Sequence, residues 1–376
     1  MSALRSLLQN DDHSIQGGET MSDIAIIGAG IAGLAMARAL ALRGIGATLY
    51  EATPELSEVG AGLSIWPNGQ TALSALGLME GFEAVSEPWR RVDIHWRKKH
   101  LKSKALDFSA GGAVPRIAHR GRLFSLLKDS IDAPIVTGRR IEDPESLPQD
   151  IIIFATGAAS PARSGTLKTR VYSCFRGIAH GPHPFARDTG GEIYGPKGLR
   201  FGYFDTGPDE TYWFGFVNQP VASTTFDQCK AGFEALHPMA SALFAQTDPA
   251  SILFHPIKDG PTQRYQGPLK AVLIGDAAHP IQPSLGQGAS LALEDAVVLG
   301  ALFDPADPQA AFNAFEARQW KRWQSMVRNA AASGFLYQTR FAPLRRAMIW
   351  SYRMMSTKQS QKVIGADITL PALTST

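Results

Sequence analysis

The residues best equipped for chemistry lie late in the chain, at Gly275-Asp276-Ala277-Ala278-His279-Pro280, then Pro283, Gly286-Gln287-Gly288 and Glu294-Asp295-Ala296. The apolar run from Ala271 to Ile274 predicts a buried strand that ends on a Gly-Asp turn. A Pro/Gly loop then leads into an Ala/Leu-rich helix. Its first amides, from about Gly288 to Ser290, lack intrahelical partners and carry the positive end of the helix dipole. Such a terminus suits a ligand that becomes anionic. An unperturbed histidine titrates in the range useful to a base, which makes His279 a candidate, but a structural role is the favoured reading.

A second constellation precedes it. A short apolar strand, Ile24 to Ile27, runs into Gly28-Ala-Gly30-Ile-Ala32-Gly33, a helical segment Leu34 to Leu42, and a second strand from Ala47 to Glu51. This is the βαβ dinucleotide fingerprint in the context it requires. The first glycine permits the tight turn, the second lets a pyrophosphate approach the backbone, and the third lets helix and sheet pack. The phosphates would rest on the helix N-terminus. Glu51 would accept hydrogen bonds from an adenosine ribose and repel a 2′-phosphate, which favours FAD or NAD over NADP at this site. A third apolar strand, Asp150 to Ala155, breaks at Thr156-Gly157, with Ser160 and Arg163 following. No second complete Gly-x-Gly-x-x-Gly occurs, so one dinucleotide is held firmly and a nicotinamide cofactor would come and go.

Composition bounds what these elements can belong to. The 376 residues suffice for two domains with a sizeable core, and the net charge of +3 without a long basic block argues against nucleic acid as the main partner. Acidic small molecules remain compatible. The two cysteines, Cys174 and Cys229, form neither a disulfide framework nor a metal-ligand spacing, and the nine histidines are scattered, so no metal site is expected. A reducing cytoplasm is the simplest home. Residues 1–20 read as a polar extension without the features of a signal peptide, and Met21 is a candidate native start. No window is apolar enough to cross a bilayer.

With these segments together, the chain resembles the class A flavoprotein monooxygenases, the p-hydroxybenzoate and salicylate hydroxylase group, over residues 21 to about 330. Gly28, Gly30, Ala32, Gly33 and Glu51 match the family's FAD-adenosine site. The stretch from Gly275 and Asp276 to Gly286, Gln287 and Gly288 matches its second FAD motif, in which the aspartate holds the ribityl chain. Pro283 and Gly286 resemble the backbone beside the flavin ring. Gly157, Ser160 and Arg163 match a motif associated with both FAD and NAD(P)H, whose aspartate position is here Thr156. That departure replaces a charge by a neutral hydroxyl, with slower or altered NAD(P)H use as its expected consequence. Gly60 to Gly69 resembles a segment passing near the flavin, within which Trp66 reads as packing. His119-Arg120 resembles the family's cofactor-touching arginine. His279 is structural in the family's motif.

The resemblance implies an α/β fold: a Rossmann-like FAD-binding domain with an inserted mixed or antiparallel β-sheet substrate domain and C-terminal helices. The expected FAD domain is discontinuous (21–88, 109–168 and 265–305), the substrate domain comprises 89–108 and 169–264, and 306–376 forms the helical region. Val92, Ile94 and Trp96 alternate with polar residues, as do parts of Arg200 to Val217, the pattern of antiparallel strands that could cover the flavin. Arg176, Tyr194, Trp213 and Phe214 are its candidate substrate contacts. The region from Pro308 to Lys362 carries ten lysines and arginines against one acid, Glu316, and aromatics at helical spacing. A solvated helix packed on the FAD domain is the favoured reading, with peripheral membrane contact as the alternative.

The function implied is an FAD-dependent monooxygenase that uses NADH or NADPH and O2 to hydroxylate an aromatic or related unsaturated ring. In that chemistry oxygen adds at flavin C4a, and an electron-rich ring attacks the resulting hydroperoxide. The protein must stabilise anionic reduced flavin and exclude water. A reductase or dehydrogenase of the same superfamily and a non-catalytic flavin-binding protein are the other readings. Oxygen incorporation during substrate-stimulated NAD(P)H oxidation separates the three.

Overall fold

The computed structural model describes residues 23–56, 61–106, 113–354 and 368–373. The expectations for residues 1–20, Met21, Gly60, Lys358 and Lys362 fall outside these. A five-stranded sheet, all parallel, runs in the order Lys270–Leu273, Ile151–Phe154, Ile24–Ile27, Thr48–Tyr50, Ile135–Val136. Its central strands are continuous apolar runs because helices cover the sheet, so alternation would serve no purpose. The helix after the first strand spans Ile31–Ala41, starting earlier than Leu34, since Gly30 already takes the extended conformation of a cap. The second strand is shorter than expected, Thr48–Tyr50.

The helix following the Gly-Asp turn spans Gly288–Leu302 and is buried on nearly every side. It packs against Ile31–Ala41, against Pro67–Ala75 and against the long helix Pro308–Gln338. A largely apolar helix is stable here because it has no solvent face to supply, and its buried Glu294 and Asp295 are hydrogen-bonded by neighbouring elements.

The second sheet has seven strands in the order Leu253–Asp259, Lys168–His180, Glu210–Val217, Arg200–Gly207, Thr189–Tyr194, Arg91–Trp96, Lys99–Ala105. Neighbours are antiparallel except Thr189–Tyr194 against Arg91–Trp96, so the sheet is mixed. Successive side chains alternate between its faces. One face meets helices Phe226–Leu236 and Pro238–Ala245 through Trp213, Phe201, Phe233 and Leu243. The other carries Tyr194, Phe204, Tyr212, Phe214 and Phe216 toward the first sheet. A three-stranded sheet of Gly62–Ile65, Arg116–His119 and Ser86–Pro88 packs against Arg200–Gly207 of the second sheet and against the Gly288–Leu302 helix. Two helices, Pro308–Gln338 and Ala342–Met354, follow, and the last described residues, 368–373, are in neither helix nor strand.

Candidate active site

A single cleft of about 1180 Å³ runs from the first βα turn to the inner face of the seven-stranded sheet. Its first end is made of backbone. Gly28 has φ +102°, and a Cβ there would lie 2.5 Å from the Ala155 carbonyl oxygen; one on Gly33 would lie 1.9 Å from that of Gly28. Neither glycine faces the cleft; they let strand and helix close up beneath it. Gly30, Ala32 and Gly157 do line the cleft, and Gly30 and Gly157 have open space where a Cβ would stand.

Glu51 closes this end. Its carboxylate accepts the Ala29 amide at 2.9 Å, the Thr53 amide at 2.9 Å and the Thr53 hydroxyl at 3.1 Å. Partial burial pushes its pKa up, but the bonds from Thr53, Ala29 and Ala52 outweigh this and hold it below the ordinary value. It therefore stays anionic, as an acceptor of ribose hydroxyls must.

The middle of the cleft is built on the Gly275–Ala277 turn. Gly275 has φ +58° and packs under Ala32, while Asp276 opens onto the cleft. Enclosure by protein pushes the Asp276 carboxyl above its usual range, and His279, Arg120 and Arg163 pull the other way. A Cβ on Gly288 would stand 3.9 Å from the Asp276 carboxylate, so this acid sits just off the start of the Gly288–Leu302 helix. That helix has no side-chain cap, and its ladder begins with the Leu291 amide donating to Gln287. Its first amides are thus available to an anionic ligand. Pro283, Gly286 and Gly288 line the cleft beside it. Gly286 has φ +63° and a Cβ there would meet the Ser64 hydroxyl at 2.3 Å; that hydroxyl donates to the Gly286 carbonyl at 3.1 Å.

The turn is held from behind. Asp295 accepts the Gly275 amide at 2.9 Å, the Gln319 amide group at 3.0 Å and the Trp323 indole at 2.9 Å, and pairs with His279 Nε2 at 2.6 Å. His279 is fully buried and away from the cleft lining. Burial alone would lower its pKa, but the Asp295 carboxylate raises it above the ordinary value. Its role is to anchor the turn. Gln287, expected at the cofactor, turns its side chain away into a buried pair with Asn68 at 3.1 and 3.3 Å. Arg120 lines the cleft at the start of its helix, Arg120–Lys128. Arg163 instead donates to the carbonyls of Ala277 and Pro261, tying the Gly157 loop to the Asp276 turn. Thr156 donates to Ser160 within the same loop.

The far wall is made of side chains. Arg176, Tyr194 and Phe214 line it. Trp213 does not: it is fully buried on the opposite face, stacked near Phe201 and edge-on to Phe244, its indole donating to Thr247 at 2.9 Å. Adjacent residues of a strand face opposite ways, so Trp213 and Phe214 could not both have met a substrate. Arg176 lies beside Cys174 and Tyr212, and among the described residues no carboxylate pairs with it.

Sequence reasoning missed Arg200. Nearly buried, it is held bidentately by Glu192 at 2.7 and 2.7 Å and ringed by Tyr194, Phe214, Phe216 and Tyr337. Trp89 and His255 were also missed, whereas Tyr212 is one of the sheet aromatics the sequence offers for a pocket, and it lines the cleft. Alternation along Glu210–Val217, counted outward from Phe214, puts Tyr212 on the same face, and the arginine inside an aromatic strand was a visible anomaly. Among the described residues no group of three or more metal-ligating side chains could hold a metal ion.

The glycine cradle, the anionic Glu51, the carboxylate at Asp276 and the uncapped helix fit the successive parts of FAD: pyrophosphate, ribose, ribityl chain and ring. Fold and site together define a flavin-dependent oxidoreductase. A family model described as FAD dependent oxidoreductase matches residues 23–93. The aurachin C monooxygenase/isomerase of Stigmatella aurantiaca is 31% identical over 346 residues, covering 84% of this chain and 89% of that protein. The FAD-dependent urate hydroxylase of Klebsiella pneumoniae is 29% identical over 342 residues, covering 81% and 88%. The solved structure of Klebsiella pneumoniae HpxO complexed with FAD and uric acid superposes with a TM-score of 0.81 at 26% identity, covering 91% of this chain and 97% of that one. The chain belongs to the FAD-dependent monooxygenases.

Proposed function

We propose that this enzyme hydroxylates an aromatic or related unsaturated ring at the junction of the two walls, using NADH or NADPH and O2. The observation that carries this reading is the continuity of one cleft from the glycine cradle to the aromatic sheet. When bound, FAD would accept hydride from the nicotinamide and activate oxygen for transfer to the ring. Gly30, Ala32 and Gly157 admit its pyrophosphate, Glu51 takes the ribose, Asp276 the ribityl hydroxyls, and Pro283, Gly286 and Gly288 border its ring. The first amides of Gly288–Leu302 stabilise negative charge that develops there.

The chain's own side chains do the rest. Tyr194, Phe214 and Phe216 exclude water and stack on a planar ring, and Arg176 takes an acidic substituent of that ring. Arg200, itself held by Glu192, is a positioning residue that packs directly on those aromatics. In this reading 21–88, 109–168 and 265–305 form the FAD domain, and 89–108 with 169–264 the substrate domain. A cytoplasmic location supplies both NAD(P)H and reduced cysteines.

A screen of ring compounds, carboxylated and not, tests the proposal. A substrate should stimulate NAD(P)H consumption and incorporate oxygen from labelled O2 with little hydrogen peroxide. Stimulated consumption that yields only peroxide or a reduced product, for every ring tried, would overturn it.

A further inference from the structure

The helix Ala342–Met354 has two faces of different purpose. Met348, only 4% exposed, joins the aromatic cluster on the inner side, and Met348 and Ser351 border the substrate end of the cleft. On the other side Pro343, Arg346, Ala347, Trp350 and Met354 are all exposed. At 100° per residue these positions fall within one arc of about 100°. Trp350 is 64% and Met354 66% exposed, with Phe341 at 65% on the approach to this helix and Phe335 at 64% near the end of the preceding one. These are four of the five large apolar side chains that stand most open to solvent among the described residues.

Charge accompanies them. Between residues 335 and 354 the sequence holds Arg340, Arg345, Arg346 and Arg353 and no aspartate or glutamate. Arg345 turns inward over the Trp96 ring at 5.4 Å, whereas Arg346 stands on the exposed arc. An apolar arc carrying a tryptophan and a basic residue, in a segment without acids, complements an anionic lipid surface. Two copies of this face would instead bring like charges together. No described helix is long and apolar enough to cross a membrane, so contact must be peripheral.

We propose that the outer face of the Ala342–Met354 helix docks on an anionic lipid bilayer, holding the substrate end of the cleft at the membrane surface. Trp350 and Met354 enter the headgroup boundary and Arg346 meets the lipid phosphates. A lipophilic ring then reaches the cleft beside Met348 without crossing bulk water; this last clause rests on the function proposed above, while the docking does not.

The test is co-sedimentation of the full FAD-loaded chain with phosphatidylcholine vesicles, with and without phosphatidylglycerol, at about 0.15 M salt. The chain should pellet with the anionic vesicles and not with pure phosphatidylcholine. Each cation near such a surface strengthens binding about fivefold, so Arg346→Glu should weaken it on the order of 25-fold. Trp350→Ser should weaken it about tenfold or more through lost apolar burial. Both variants should retain bound FAD and unchanged turnover of a water-soluble ring substrate. Absence of pelleting, or pelleting unaffected by Arg346→Glu, overturns the proposal. So does a dimer on gel filtration that Trp350→Ser dissociates, which would make this face an interface between copies. If no ring substrate is found, the function above fails while the vesicle result still decides the docking.

Discussion

Glycine serves opposite purposes at the two walls of the cleft. At the nucleotide wall, Gly30 and Gly157 leave open space into which a ligand's phosphates can come. In the seven-stranded sheet, glycines make room for the protein's own rings. On the cleft face a Cβ on Gly202 would stand 2.3 Å from Phe214; on the opposite face one on Gly177 would stand 2.5 Å from the Trp213 ring and one on Gly215 2.5 Å from Phe233. The first wall is therefore a surface of backbone, whose chemistry is that of amides. The second is a surface of side chains laid flat across a strand. A motif can encode the first, because amide geometry follows from chain spacing; the second depends on pairing across strands distant in sequence.

The largest way to break this comparison is to remove what stiffens the backbone wall. Asp295→Ala leaves His279, Gln319, Trp323 and the Gly275 amide without their buried acceptor. A loss of about 3–5 kcal/mol in denaturant unfolding, with loss of bound FAD, is expected. The pair also sets a pH dependence. His279 titrates above its ordinary 6.5 in the folded protein, so its contribution is complete below about 6.5 and declines as pH rises through the raised value. A melting-temperature profile on the alkaline side should fall for the native chain and be flatter for His279→Gln.

Next comes Arg176, a cation on the side-chain wall with no carboxylate partner among the described residues. Arg176→Met should lower kcat/KM for a carboxylated ring about 10- to 100-fold, as expected for a charge-assisted hydrogen bond, and leave FAD affinity unchanged. An equal loss for an uncharged ring would show that Arg176 does not take an acidic group.

The glycines themselves can be exchanged for alanine at both walls. Gly30→Ala has room and a compatible extended backbone, φ −78° and ψ −171°, so the apoprotein should unfold as before. Its FAD affinity should fall by about tenfold or more, about 1.4 kcal/mol. Gly202→Ala should do the reverse, retaining FAD while displacing the Phe214 ring at a cost of about 1–3 kcal/mol in stability. Urea unfolding and flavin titration of the two variants separate the uses cleanly.

The smallest effect compares neighbours in one strand. Phe214→Leu should raise KM for the ring, whereas Trp213→Phe should cost about 1 kcal/mol of stability through the lost bond to Thr247 and leave kcat/KM alone. A kinetic defect in Trp213→Phe would place the substrate on the wrong face of the sheet.

These contrasts explain what was legible beforehand. The first strand, its glycines and Glu51, and the Gly-Asp turn with its following helix are local patterns, so their places in the fold could be read directly, and the tight turn at Gly28 has a positive φ. The direction of the Gln287 side chain could not be read, because it is set by a partner, Asn68, more than two hundred residues away in sequence. The Arg200–Glu192 pair joins two strands and is stabilised by rings from a third strand and from the long helix, none of which a single segment reveals. Trp213 is the instructive error. The rule of alternation was available from the sequence alone, and placing Phe214 on the cleft already sent its neighbour to the other side.

The C-terminal helices have a consequence of a different kind. Leu336, Tyr337 and Met348 border the substrate end of the cleft, yet none belongs to either large sheet. This part of the wall is carried by the two C-terminal helices. Its side chains can be exchanged, by selection or by design, without altering a glycine of the cradle or a ladder bond of the sheets. The chain thus keeps its costly cofactor machinery constant and confines one side of its substrate choice to a replaceable stretch of helix.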